Sequence, residues 1–308
     1  MKILLNRKPV QGPWGGGNHF LIGMIEECEK RGHTVTHTFD HDIDAIYLHD
    51  PRPDELGISI NEAIAYKNHY RSTLLIHRVN ECDARKGTDG VDSLLRETSA
   101  YTDLTVFVSN WMKKYHLDKG WKCDATTVFY NGVNKDNFYP REKLKNGKVN
   151  IVTHHWSNNY LKGFDVYDWL DSWVGENTDF TFTYIGRENG SFKNTNVVAP
   201  LFGKELGDEL GKYDVYVSAS RHDPGPNHVL ESLASEIPTY VHSDGGGSLE
   251  FAGDSHGYST VQDLEAILTS KNYAKNSMMP QDWKTCMPGL IDQIELKVGH
   301  EKTKSMSF

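Results

Sequence analysis

The feature that most restricts this chain is a regular alternation of short, β-branched apolar runs with longer stretches of helical period. Lys2 to Asn6 reads as a strand, and a glycine-rich loop, a helix from about Asn18 to Lys30 and a strand around Thr34 to Thr38 follow it. Further strands are expected at Ala45 to Leu48, Thr73 to His77, Leu104 to Ser109 and Thr126 to Tyr130, with Asn110 capping a short helix through His116. A second series is expected at Val149 to Thr153, Phe180 to Ile185, Asn196 to Val198, Val215 to Ser218 and Thr239 to His242. Gln281 to about Val298 adds a final amphipathic period that could pack back on the first half. Strands joined through helices run parallel, because each crossover returns the chain to the same end of the sheet. The class is therefore α/β, and an antiparallel sandwich is excluded.

At 308 residues the chain is long enough for two such sheets. Arg141 to Lys148 is charged, contains Asn146-Gly147 and lacks apolar period, so it reads as a linker. The expected domains are residues 1–145 and 146–308. A net charge of −9 with no Lys/Arg stripe argues against nucleic-acid binding. No signal-peptide core or membrane-length apolar run is seen, so a cytoplasmic location is expected. Cys28, Cys82, Cys123 and Cys286 are widely spaced and read as reduced thiols, and the histidines lack metal-ligand spacing, so no metal site is expected.

Two stretches could carry chemistry. Gly12-Pro13-Trp14-Gly15-Gly16-Gly17-Asn18-His19 lies between the first strand and first helix, where backbone approaches a ligand or simply turns. A dinucleotide fingerprint fails there, because Phe20 stands where Gly or Ala is required. The second stretch runs from Arg221 to Pro238. Its Pro224-Gly225-Pro226 turn leads to Asn227, read as the N-cap of a helix whose free N–H groups suit an anion. Glu231, one turn in, could accept from two ribose hydroxyls, with Asp223 as a second carboxylate. Such a pair equally suits a solvated or capping arrangement. His77, ending a strand, is either a satisfied core histidine or a crevice residue. Trp14 and Trp156 suit either sugar stacking or core packing.

Several ordered segments resemble family four glycosyltransferases. Gly16-Gly17-x-His19 with Arg31-Gly32-His33-x-Val35 resembles that family's glycine loop, first helix and second strand. Asp103 to Ser109, Tyr130-Asn131-Gly132-Val133-Asn134 and Phe138-x-Pro140 resemble the segments closing its first domain. Lys162-Gly163-Phe164-Asp165 resembles its K-G-x-D turn, and Tyr184-Ile185-Gly186 its next strand. Asp223 to Pro238 resembles its paired-glutamate motif, followed by Gly245-Gly246-Gly247 and Glu250.

The resemblance implies a GT-B fold, two Rossmann-like domains with parallel sheets facing across a cleft. It further implies retaining, metal-independent transfer of a sugar from a GDP- or UDP-linked donor to a hydroxyl of a glycan or other acceptor. No cofactor is implied, because the nucleotide-sugar is a substrate. The implied catalytic residues are His77, Asp223 and Lys162. Those implied for the donor are Gly16, Gly17, Ser157, Lys162, Arg187, Gly225, Asn227, His228, Val229 and Glu231. Lys162 would neutralise the diphosphate and Glu231 would bind the ribose. Two positions depart from the pattern: Asp223 replaces a glutamate, and Ser157 stands where an arginine is usual, a charge that Arg187 or Lys204 could supply. A non-catalytic sugar- or nucleotide-binding protein and a sugar-nucleotide epimerase are the competing readings.

Overall fold

The computed structural model describes residues 1–10, 16–52, 57–123, 125–190 and 192–305, with side chains to 303. Contacts divide the chain into two units: residues 1–83, 87–131 and 283–308 form one, and residues 84–86 with 132–282 form the other.

In the first unit the strands are β1 (Lys2–Leu5), β2 (Thr34–Thr36), β3 (Ala45–Leu48), β4 (Leu74–Val79), β5 (Leu104–Phe107) and β6 (Thr126–Val128). All pair in parallel, in the order β2-β1-β3-β4-β5-β6. The helices of this part of the chain are α1 (Gly16–Lys30), α2 (Ile60–His69), α3 (Asp83–Lys86), α4 (Val91–Ser99) and α5 (Asn110–Asp118). Strands β3, β4 and β5 are buried along their whole length, as expected of a parallel sheet covered by helices on both faces. Ile3, Leu5, Tyr47, Ile76 and Val106 face α1, while Leu4, Ile46, Leu48 and Leu75 face α2. This alternation is the two-residue period of a strand.

The second unit holds β7 (Val149–His155), β8 (Phe180–Gly186), β9 (Asn196–Val198), β10 (Val215–Ser218), β11 (Thr239–His242) and β12 (Gly257–Tyr258). Their order is β12-β11-β10-β7-β8-β9, again all parallel. Its helices are α6 (Phe164–Glu176), α7 (Gly203–Leu210), α8 (Asn227–Ala234), α9 (Gly247–Ala252) and α10 (Val261–Ser270). The segment from Arg141 to Lys148 lies inside this unit. Arg141 Nη2 donates to Asp208 at 2.7 Å, and Lys143 Nζ donates to the Tyr213 carbonyl at 2.6 Å.

The last helix, α11 (Trp283–Ser305), belongs to the first unit. Trp283, Met287, Leu290, Ile291, Ile294 and Val298 form its buried stripe in the same core as Phe20, Leu21 and Met24 of α1. Burying each large apolar side chain contributes about 1.5–3 kcal/mol, so this stripe fixes the helix. Arg31 and His33 reinforce it: Arg31 Nη1 donates to Asp292 at 2.6 Å and Nη2 to the Pro288 carbonyl at 3.1 Å, and His33 Nε2 lies 2.7 Å from Glu295. Two residues singled out for family resemblance thus clamp the chain's last helix.

Helix α5 corrects one expectation. Ser109, not Asn110, is its N-cap: Ser109 has extended backbone and its Oγ accepts from Met112 N at 3.0 Å. Asn110 is the first helical residue. Among the described residues no helix is long and apolar enough to cross a membrane.

Candidate functional site

In an open parallel sheet, ligands bind beyond the strand C-termini where the strand order reverses. In the second unit that point lies between β7 and β10, the two central strands. Most of the singled-out residues cluster there.

Strand β7 extends two residues past its expected end, and those residues are His154 and His155. His154 Nε2 lies 2.8 Å from Glu231 Oε2, and both side chains are buried. The carboxylate accepts, so this ring nitrogen carries the hydrogen. His154 Nδ1 is buried with no partner among the described residues. Its backbone N–H is held by Tyr216 Oη at 3.2 Å. His155 Nε2 lies 2.7 Å from Tyr167 Oη, which also accepts from Ala219 N at 3.0 Å. His228 Nε2 lies 2.8 Å from Ser218 Oγ at the end of β10, and its ring centroid lies 4.7 Å from that of His155. Burial holds His155 and His228 well below the ordinary histidine value, and Lys162 adds to this, so both rings stay neutral at pH 7.

Lys162 ends a single 3-10 turn, Tyr160–Lys162, which is capped by Asn159 accepting from Leu161 N at 2.9 Å. Gly163 follows at φ 98°, and a Cβ there would stand 2.2 Å from the Ala219 Cβ. Only glycine allows the turn to lie on the end of β10 while α6 begins. Lys162 Nζ consequently reaches Asp223 Oδ2 at 2.6 Å and Ser220 Oγ at 3.4 Å. Burial would raise the Asp223 carboxyl, but the Lys162 ammonium holds it well below the usual range. The glycine turn after β11 fixes the other side of this carboxylate. Asp223 N donates to the Gly245 carbonyl at 3.2 Å, and Gly247 N to the Asp223 carbonyl at 2.8 Å. A Cβ on Gly246 would stand 2.8 Å from the Asp223 carbonyl oxygen.

Helix α8 starts at Asn227, and Pro226 holds the N-cap position with no side-chain bond, correcting the expected cap. Proline suits this entry because its missing N–H falls where the helix offers no acceptor. Gly225 stands in the preceding turn, and Val229 and Glu231 are buried in the helix. Ser157 accepts from Asn159 N at 3.2 Å, a local turn contact. Arg187, just past β8, stacks 3.9 Å over Trp156, the neighbour of Ser157. Lys204, the other suggested cation, instead pairs with Asp208 at 2.5 Å on the outer face of α7.

His77, Gly16 and Gly17 belong to the first unit. Gly16 and Gly17 open α1. The His77 ring is fully buried, 6.5 Å from Trp121, with neither nitrogen partnered among the described residues. Burial pushes its pKa down to about 3. Gly12, Pro13, Trp14 and Gly15 lie outside the described residues.

No family model matches the chain, and no curated protein sequence matches it either. Solved structures do. Sucrose-phosphate synthase from Thermosynechococcus elongatus is similar at a TM-score of 0.66 and 12% identity, covering 99% of each chain. The Anabaena protein HepE, solved with UDP-glucose, is similar at 0.66 and 12% over 100% of each. A trehalose-6-phosphate synthase is similar at 0.58 and 12%, over 94% of this chain and 77% of that one.

The fold is GT-B.

At 12% identity these likenesses show architecture alone. Within the GT-B second unit, an expected end of β7 at Thr153 leaves out His154 and His155, and Tyr167 of α6 and Ser218 of β10 join the site through contacts that no local pattern signals. The available signal was the His154-His155 doublet directly after a β-branched run.

Proposed function

We propose that the protein is a retaining, metal-independent glycosyltransferase that moves a sugar from a UDP- or GDP-linked donor to a hydroxyl of a glycan or other acceptor. The observation that carries this reading is the pairing of an oriented carboxylate with a buried ammonium at one topological switch point. Glu231, fixed by His154, supplies two acceptor oxygens for the ribose hydroxyls. Lys162 supplies a positive charge for the diphosphate, and the start of α8 adds N–H groups and the positive end of its dipole. HepE, with UDP-glucose bound, is consistent with a uridine nucleotide.

Lys162 Nζ donates to Asp223 Oδ2. Donor binding shares the ammonium between Asp223 and the diphosphate, and Asp223 then accepts from hydroxyls of the transferred sugar. The acceptor hydroxyl attacks the anomeric carbon from the face that the diphosphate leaves. The C–O bond to the diphosphate breaks as the new glycosidic bond forms, and the departing phosphate oxygen takes the hydroxyl proton. No enzyme nucleophile is needed. Lys162 stabilises the charge that builds on the leaving group, the kind of electrostatic term worth about 3 kcal/mol per well-placed donor. His77, kept neutral by burial, is no base in this scheme.

The test is product analysis after incubation with UDP-glucose or GDP-mannose and a panel of hydroxyl acceptors, with and without EDTA. An α-linked product unaffected by EDTA is expected. A β-linkage would refute retention, and loss of turnover with EDTA would refute metal independence.

A further inference from the structure

In the first unit, sheet order reverses between β1 and β3, and a second polar group is buried beside that point. Arg78 on β4 is 1% exposed. Its guanidinium lies 4.3 Å above the Phe20 ring, and Nη2 donates to Asn131 Oδ1 at 2.9 Å. Nε and Nη1 have no partner among the described residues, nor do Tyr47 Oη and His49 Nδ1. All these groups border one ring: Phe20 stacks with Tyr47 at 5.6 Å and tilts against His49 at 5.9 Å. The nearest cover is the first turn of α1. A Cβ on Gly17 would stand 2.5 Å from His49 Nε2, so glycine lets the start of α1 pack directly against the His49 ring.

A guanidinium carries five N–H donors, and an unpaired charge out of water is strongly unfavourable unless something compensates it. Among the described residues no carboxylate pairs with Arg78. Burial lowers its pKa to about 10, a further sign that the cation lies in a poorly solvated place. His49 cannot relieve it: burial and the neighbouring guanidinium hold His49 neutral, able to donate or accept but not to bring negative charge. Tyr47 likewise keeps its hydroxyl proton, because burial pushes that group up. Asp50 acts on His49 from its edge, but among the described residues no anion is hydrogen-bonded to Arg78. What the cluster offers is one cation, a hydroxyl, an imidazole and the positive end of the fifteen-residue helix α1.

We infer that the first unit has an oxyanion-binding site built from Arg78, Tyr47, His49 and the Gly16-Gly17 start of α1, which takes a phosphate or carboxylate group of a bound ligand. The anion accepts from Arg78 Nε and Nη1 and from Tyr47 Oη. Calling that ligand the acceptor rests on the glycosyltransferase reading above; the anion site itself does not.

The test is an equilibrium titration of the full chain with inorganic phosphate and, separately, with acetate, on wild type, Arg78→Met and Tyr47→Phe. Saturable binding of at least one anion to wild type is expected, weakened at least tenfold in Arg78→Met and severalfold in the milder Tyr47→Phe. Phosphate alone identifies a phosphorylated ligand, and acetate alone a carboxylate. No saturable binding to wild type overturns the inference, as does binding unchanged in both variants. UDP titrated into the same samples separates the two claims. Arg78→Met that keeps UDP but loses the anion supports the site, whereas wild type that binds the anion but not UDP counts only against the transferase reading.

Discussion

Asp223→Asn removes the carboxylate to which the buried Lys162 ammonium donates. The two side chains are 5% and 12% exposed, so water cannot replace the lost carboxylate. Removing one partner of such a pair typically costs about 3–5 kcal/mol. The asparagine carbonyl and Ser220 Oγ, 3.4 Å from Lys162 Nζ, recover part of that, so a loss of about 2–3 kcal/mol is expected. Lys162→Met removes the larger of the two positive influences on Asp223, Arg85 being the other, and should cost somewhat less. The double variant has no unpaired charge, so its loss should fall short of the sum by about 2 kcal/mol. Urea unfolding of the four proteins at pH 7 measures this cycle. UDP should stabilise Asp223→Asn more than wild type, because its diphosphate supplies the missing charge. Strictly additive losses, each under about 1 kcal/mol, would refute the claim that the pair is buried and interdependent.

Acid should unfold the protein steeply. His49, His77, His116, His155 and His228 are all held below the ordinary histidine value, His77 at about 3 and His116 at about 4, mainly by burial. Their folded pKa values are depressed, so the unfolded chain protonates first; the stability is full above about pH 6.5 and is lost as pH falls. Near pH 5.5 unfolding should take up about four protons per molecule, and uptake below one would contradict the buried, neutral assignment. Gly163→Ala should destabilise by about 3 kcal/mol, combining left-handed strain with the clash against Ala219; a melting curve like wild type would refute the close approach. Lys162→Ala should weaken UDP tenfold or more while leaving uridine within about twofold, since a charged hydrogen bond contributes about 1.5–3 kcal/mol; equal losses for both ligands would remove its phosphate role.

Parallel strands announce themselves in sequence because both faces are buried. Ala45–Leu48, Val215–Ser218 and Thr239–His242, buried throughout, begin and end where expected. Strand ends were less legible where they carry polar residues. His154 and His155 continue β7, and Arg78 continues β4, because tertiary partners meet polar groups that read as loop: Tyr216 the His154 backbone N–H, Tyr167 the His155 ring, and Asn131 one Arg78 nitrogen. Helix caps shifted by one residue at Ser109 and Pro226 for the same reason: the choice depends on which backbone can stay extended. Lys162, Asp223 and Glu231 were visible through the motif that spaces them. Their partners were not, since the contact of Glu231 with His154 spans 77 positions and joins a strand end to a helix that no local pattern connects.

The most direct test of the account is calorimetric titration of UDP and GDP into wild type and Glu231→Ala. The pairing of Glu231 with His154 predicts that one nucleotide binds wild type saturably. That affinity should fall at least tenfold in Glu231→Ala, because the ribose loses a charged acceptor worth about 1.5–3 kcal/mol. Failure of both nucleotides to bind wild type, or equal affinity in the two proteins, would contradict it.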